Sequence, residues 1–233
     1  MTRVKICGIT NEEDIQLCVC AGVDALGFVV EYPVPVPWNL DREVAKRLMA
    51  KVPPFVTKVV VVGDESDKIM AITDMLKPHV VQLHGREPFN VTEKLISELK
   101  KRGVQIIKAL RFSVETGQLK YDIADPVVAC DRLANAGVNA VLLDSFTDSR
   151  PAGTGKPFNW AIARRVREKI KIPLILAGGL NAENVGQAIA EVQPYGVDVI
   201  TGVENPVTKK DPEKVKAFLQ AVRQVDAREL RTS

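Results

Sequence analysis

Short runs rich in branched apolar residues alternate along this chain with longer segments whose apolar positions recur at helical spacing. The runs lie at Arg3 to Cys7, Asp24 to Val30, Phe55 to Val62, His79 to Leu83, Val104 to Leu110, Asn139 to Asp144, Ile172 to Ala177 and Val197 to Thr201. Each joins an amphipathic segment in a unit of roughly twenty to thirty residues, the pattern of parallel βα units. Runs such as Val59 to Val62 and Val141 to Leu143 are continuously apolar, as strands buried on both faces are. Eight such units in 233 residues predict a single (β/α)8 TIM barrel, one α/β domain over residues 1–233 with a frayed C-terminal end. An open doubly wound sheet is the alternative, weakened because no Gly-x-Gly-x-x-Gly follows the first run. Helix starts are marked by Thr10 with Glu13 as a capping box, by Asn181 ahead of Ala-Glu-Asn, and by Asp211 before Pro212. Arg42 to Ala50 and Pro126 to Ala136 read as helices, whereas Arg111 to Asp125 lacks periodicity and reads as a long connection.

Composition narrows the function classes. A hydrophobic content of 46% supports one sizeable core. The 32 basic and 29 acidic residues are interspersed, so no basic block tracks a phosphate backbone and nucleic acid is not expected as a partner. No apolar run reaches the span of a membrane helix, and Met1-Thr2-Arg3 leads directly into a strand; a soluble, cytoplasmic monomer or homodimer without membrane contact is expected. The cysteines Cys7, Cys18, Cys20 and Cys130 and the histidines His79 and His84 lack zinc-site spacing, which predicts reduced thiols and no metal. Cys18 and Cys20 lie two apart in a helical stretch and face different directions.

The candidate chemistry lies at the strand ends. Alternation puts Lys5 and Cys7 on one face of the first run, with Cys7 one residue before Gly8. A cysteine in an apolar run is more often an inert packing residue than a base, and this stretch alone leaves both readings open. In a barrel, however, the carboxyl ends of all strands converge on one face, bringing Cys7 together with Glu31, Asp64, His84, Arg111 and Asp144. Cys7 and Asp144 form the pair suited to proton transfer. The late loops, with Gly178 and Gly179 and then Thr201 and Gly202, bring bare backbone to the same face, where N–H groups can cradle an anion such as phosphate; the glycines also fit plain tight turns. Gly153-Thr154-Gly155 either adds donors there or is only a linker.

Six blocks carry a family likeness: Lys5-Ile6-Cys7-Gly8-Ile9-Thr10, Gln82-Leu83-His84-Gly85, Leu143-Asp144-Ser145, Gly153-Thr154-Gly155-Lys156, Leu176 to Leu180 with Asn184-Val185, and Gly202-Val203-Glu204. In this order, over nearly the whole chain, they resemble the signature blocks of phosphoribosylanthranilate isomerase. The resemblance implies an Amadori rearrangement in tryptophan biosynthesis, in which a phosphorylated amino sugar passes from aminoaldose to aminoketose without metal or cofactor. It implies Asp144 as general acid and Cys7 as general base, with Gly178, Gly179 and Gly202 holding the substrate phosphate. Lys5, as a nearby cation, would favour the Cys7 thiolate unless it is engaged in a structural ion pair. His84 stands in the family's own motif and either lines the site or is satisfied by backbone partners.

The chain departs from the family after the second run. Where the family carries an arginine for the anthranilate carboxylate, this chain reads Glu31-Tyr32-Pro33-Val34-Pro35-Val36-Pro37-Trp38, with Trp38 near the missing arginine. Glu31 would repel a carboxylate, Trp38 offers a flat apolar surface, and Arg42, Arg86 and Arg111 are the candidate replacement cations. Ile200-Thr201 replaces the family's serine pair, and Asn159 its aspartate. Two alternatives follow: a paralogous isomerase of another phosphorylated aminoaldose lacking that carboxylate, and a non-catalytic barrel that binds a sugar phosphate.

Overall fold

Every predicted strand forms, and the first of them closes the sheet. In the computed structural model, which describes residues 1–147 and 155–232, the order is β1 (Arg3–Ile6), α1 (Glu12–Ala21), β2 (Ala25–Val30), β3 (Asn39–Leu40), α2 (Arg42–Met49), β4 (Thr57–Val62), α3 (Ser66–Leu76), β5 (Val80–Leu83) and α4 (Phe89–Lys101). It continues with β6 (Gln105–Ser113), α5 (Pro126–Ala136), β7 (Ala140–Phe146), α6 (Trp160–Lys169), β8 (Leu174–Leu176), α7 (Val185–Val192), β9 (Gly196–Val199), one 3-10 turn (Thr201–Val203) and α8 (Pro212–Thr232). All strand pairings are parallel. β1 pairs with β9 on one side (Lys5 opposite Asp198) and with β2 on the other (Lys5 opposite Ala25), which turns the sheet into a barrel.

The ninth strand was not expected. β3 is two residues long and pairs with Val29 and Val30, while Val29 also pairs with Val61 of β4. A strand has two edges, so β3 lies on the edge of β2 that β1 occupies lower down. It continues where β1 stops, and this puts Trp38 directly above the end of β1.

Burial follows the alternation. Val4, Ile6, Leu26, Phe28 and Val60 point outward into the layer between barrel and helices, and Val59, Ile107, Leu142 and Ile175 fill the interior. A third cluster of Cys7, Val29, Trp38 and Val61 packs at the upper mouth. Cys18 is buried and Cys20 exposed, as their spacing predicted.

Three local expectations are corrected. The cap of α1 is Asn11, whose side chain accepts the Asp14 N–H at 2.8 Å, because the Thr10 hydroxyl is engaged with the Thr208 carbonyl at 3.1 Å. Asn181 caps only a turn, receiving the Glu183 and Asn184 N–H groups, and α7 begins at Val185. The run from Phe55 becomes strand only at Thr57, and Phe55 is fully exposed at the lower mouth. Helix α8 does begin at Pro212 and α5 spans Pro126–Ala136. Among the described residues no helix is long and apolar enough to cross a membrane, and no three His, Cys, Asp or Glu residues stand together to hold a metal ion.

Burial pushes the thiols of Cys18 and Cys130 up to about 12 from an ordinary 9.0. Both stay neutral in the folded chain where the unfolded chain ionises, so the stability they carry is whole below the unfolded value and is lost as pH rises towards the folded one. From pH 8 to pH 10.5 each thiol therefore removes about 2 kcal/mol. Urea unfolding at these two pH values is expected to show a drop smaller by about that amount in Cys130→Ala; an equal drop in parent and variant contradicts the assignment.

Candidate active site

Cys7 is the first residue beyond β1, 2% exposed, with its N–H donated to the Val199 carbonyl at 2.9 Å. The chain turns immediately afterwards at Gly8, whose φ of +76° suits glycine. A side chain at Gly8 would strike the Trp38 ring, since an added Cβ would lie 2.7 Å from Cδ1. Beside Cys7 on β2 stands Gly27, where an added Cβ would come within 2.6 Å of the Cys7 sulfur and 2.9 Å of Lys5 Nζ. Gly27 thus reserves the space beside the sulfur, and Gly8 the seat of the indole.

Asp144 reaches the same mouth from β7. The Ser145 N–H donates to its Oδ1 at 2.8 Å, and His84 Nε2 lies 3.5 Å from Oδ2. His84 is oriented in turn by Gln82, whose amide is 3.3 Å from Nδ1, while the Tyr32 hydroxyl donates to the His84 carbonyl at 3.0 Å. One cavity is lined by Cys7, Asp144, His84, Trp38, Gly155, Gly178, Gly179 and Thr201. The sequence had named all of these. Gly178 and Gly179 hold φ of +87° and +65°, and among the described residues no backbone acceptor receives their N–H groups or that of Thr201. Donors without partners at a cavity wall free of side chains make an anion cradle. Residues 153 and 154, also named for that cradle, lie outside the described residues.

Of the residues named for the site, Lys5, Glu31 and Gly202 do not line the cavity, nor do Asp64, Arg42, Arg86 and Arg111. Lys5 lies below Cys7 inside the barrel, its Nζ 2.8 Å from Asp198 Oδ2, both side chains almost wholly buried. Burial raises the Cys7 thiol above its ordinary value, with the Lys5 cation pulling the other way, and of the two readings left open for Lys5 the ion pair is the one that forms. Glu31 is turned outward, at φ +44°, onto Arg42, which grips both carboxylate oxygens at 2.6 and 2.7 Å. This pairing removes Glu31 as a repelling charge and engages Arg42, which had been a candidate replacement cation. Gly202 is a glycine for packing: an added Cβ would sit 2.0 Å from the Leu180 carbonyl oxygen, where the last loop crosses the one before it. Of the other departures, Asn159 caps α6 by accepting the Ala161 N–H at 3.0 Å, a task asparagine and aspartate share.

Sequence reading missed Asp198, which lines the cavity and keeps a buried Oδ1 without a hydrogen-bond partner. Its signal was present, since an acid between Val197 and Val199 in a strand buried on both faces demands a reason. Tyr32 and Gln82 were also missed. The role of Tyr32 depends on a contact between separate loops, whereas Gln82 stands two residues before His84 inside one of the six blocks and was not singled out.

A family model described as N-(5′phosphoribosyl)anthranilate (PRA) isomerase matches residues 4–221. The N-(5′-phosphoribosyl)anthranilate isomerase of Methanosarcina acetivorans is 40% identical, over 95% of this chain and 93% of that one. A solved phosphoribosyl anthranilate isomerase in complex with reduced 1-(o-carboxyphenylamino)-1-deoxyribulose 5-phosphate is 35% identical, with a TM-score of 0.74 and coverage of 96% of this chain and 100% of the other. A structure described as mutually generated monomers of the dimeric enzyme from Thermotoga maritima is 33% identical at TM-score 0.75, with the same coverage.

The two kinds of glycine at this mouth are separable by substitution. Gly155→Ala, at φ +66° with open space around it, is expected to cost about 1 kcal/mol. Gly202→Ala must displace backbone and is expected to cost about 3 kcal/mol. Urea midpoints check both, and equal costs would contradict the packing role of Gly202.

Proposed function

The chain belongs to the N-(5′-phosphoribosyl)anthranilate isomerase family, and on that premise we propose that this cavity converts the aminoaldose N-(5′-phosphoribosyl)anthranilate into its aminoketose, with Asp144 as acid and Cys7 as base. The observation that carries this reading is that Cys7 and Asp144 reach one cavity whose wall also includes the glycine-lined anion cradle. The substrate phosphate sits on the Gly178, Gly179 and Thr201 backbone, which places the ribose between the two side chains. Asp144 gives a proton to the furanose ring oxygen, and the ring opens to an imine. The imine acidifies the hydrogen on C2; Cys7, in the thiolate form that the Lys5 cation favours against burial, removes it, and the resulting enaminol takes that proton back at C1 while its C2 hydroxyl returns one to Asp144, which gives the aminoketose and restores both groups. His84 and the Ser145 N–H hold the Asp144 carboxyl in place. The Trp38 indole forms the aromatic wall for the anthranilate ring. The Glu31–Arg42 pair withdraws both a repelling charge and a candidate carboxylate partner, so the choice against a paralogue acting on another aglycone rests on the family match.

Cys7→Ser and Asp144→Ala are each expected to lower kcat by about 10²- to 10⁴-fold with KM changed only a few-fold. Parental turnover in either variant contradicts the roles, and failure of the soluble parent chain to rescue a tryptophan auxotroph lacking this isomerase contradicts the substrate.

For assembly we infer a homodimer formed through the lower mouth. The fully exposed ring of Phe55 stands there beside a cavity of about 410 Å³, a protrusion and a hollow on one face, as isologous pairing requires. Sedimentation of Phe55→Asp is expected to give monomer where the parent gives dimer; a parent already monomeric at micromolar concentration sinks the inference.

A further inference from the structure

A buried ion pair beside the site has no part in the chemistry above. Glu204 follows the 3-10 turn after β9, and Lys210 lies six residues on; their side chains are 2% and 0% exposed. Lys210 Nζ donates to Glu204 Oε1 at 2.7 Å and to the main-chain carbonyl of Cys7 at 2.7 Å. The same Glu204 oxygen accepts the Trp38 indole N–H at 2.7 Å. Glu204 Oε2 is buried with no hydrogen-bond partner, and neither Glu204 nor Lys210 lines the cavity.

Burying such a pair gains little stability over apolar residues of similar volume, and an oxygen left unpartnered makes the gain smaller still. What the pair does is fix geometry. The Cys7-Gly8 segment is held from one side by the Lys210 ammonium on the Cys7 carbonyl and from the other by the indole packed on Gly8. Glu204 joins the two holds. The Lys210 N–H is itself anchored on the Asp14 carboxylate, with both oxygens at 3.2 Å, so the clamp is tied to α1 as well.

We propose that Glu204 is a positioning residue: through Trp38 and Lys210 it clamps the Cys7-Gly8 turn, setting the place of the base and of the aromatic wall together. This rests on the isomerase reading for the role of Cys7, but the clamp itself can be read without substrate. In Glu204→Gln, iodoacetamide alkylation of Cys7, followed peptide by peptide, is expected to accelerate at least about fivefold through local opening, while that of Cys130, buried in α5, stays unchanged. Trp38→Phe keeps one ring on Gly8 and loses the indole N–H together with the rest of the bicycle; it is expected to shift Cys7 in the same direction, and it serves if Glu204→Gln does not fold. With substrate, Glu204→Gln is expected to lose about tenfold or more in kcat with KM within threefold, as for a misplaced base. An unchanged Cys7 rate in both variants, or Cys7 and Cys130 accelerating in step, overturns the clamp. A parent chain that fails to turn over N-(5′-phosphoribosyl)anthranilate while Cys7 alone accelerates in the variants overturns the substrate and leaves the clamp standing.

Discussion

The structure depends on β1 having a partner on both sides. Because its main chain is hydrogen-bonded to β9 and to β2, the ring of eight strands has no free edge, and each must deliver its carboxyl end to the same rim. Residues as far apart in sequence as Cys7 and Asp198 then become neighbours with no further device. Closure also explains why β1 can end as early as Ile6. The vacant stretch of β2 above it is taken by β3, and the loop leading into β3 brings Trp38 over the turn that follows the base.

Among the described residues three lysines are buried inside this frame, and each ties together two segments of the rim or the barrel wall. Lys5 on β1 meets Asp198 on β9, Lys210 meets Glu204 and the Cys7 carbonyl, and Lys108 on β6 meets Glu87 and the Gly85 carbonyl. The last pair fixes the loop that begins with His84. In each case a long flexible side chain is immobilised by an acid within 2.8 Å, which makes the pairs costly to separate. The rim that carries the chemistry is therefore held from beneath by charges of which Asp198 alone reaches the cavity wall.

How much of this was legible depended on how local each signal was. The eight barrel strands could be read because burial on both faces makes them continuously apolar, and Cys7 and Asp144 could be placed because each closes such a run. β3 could not, since Asn39-Leu40 is too short to show a period and its formation depends on an edge that β1 leaves open. Thr10 and Asn11 are both competent caps, and only the distant Thr208 carbonyl decides between them. Glu31 was misjudged for the same reason: its charge was visible, whereas its partner Arg42 and the left-handed backbone that turns it outward were not. Gly202 was read for the ligand alone, whereas its missing side chain also makes room for another loop.

Gly27 has a consequence for the element at the heart of the site. A methyl at that place on the neighbouring strand would lie 2.6 Å from the Cys7 sulfur, closer than two such atoms can stand. Any side chain at position 27 would therefore push the base aside before it altered the chemistry, so that a residue outside the cavity lining decides where the proton acceptor of this barrel can stand.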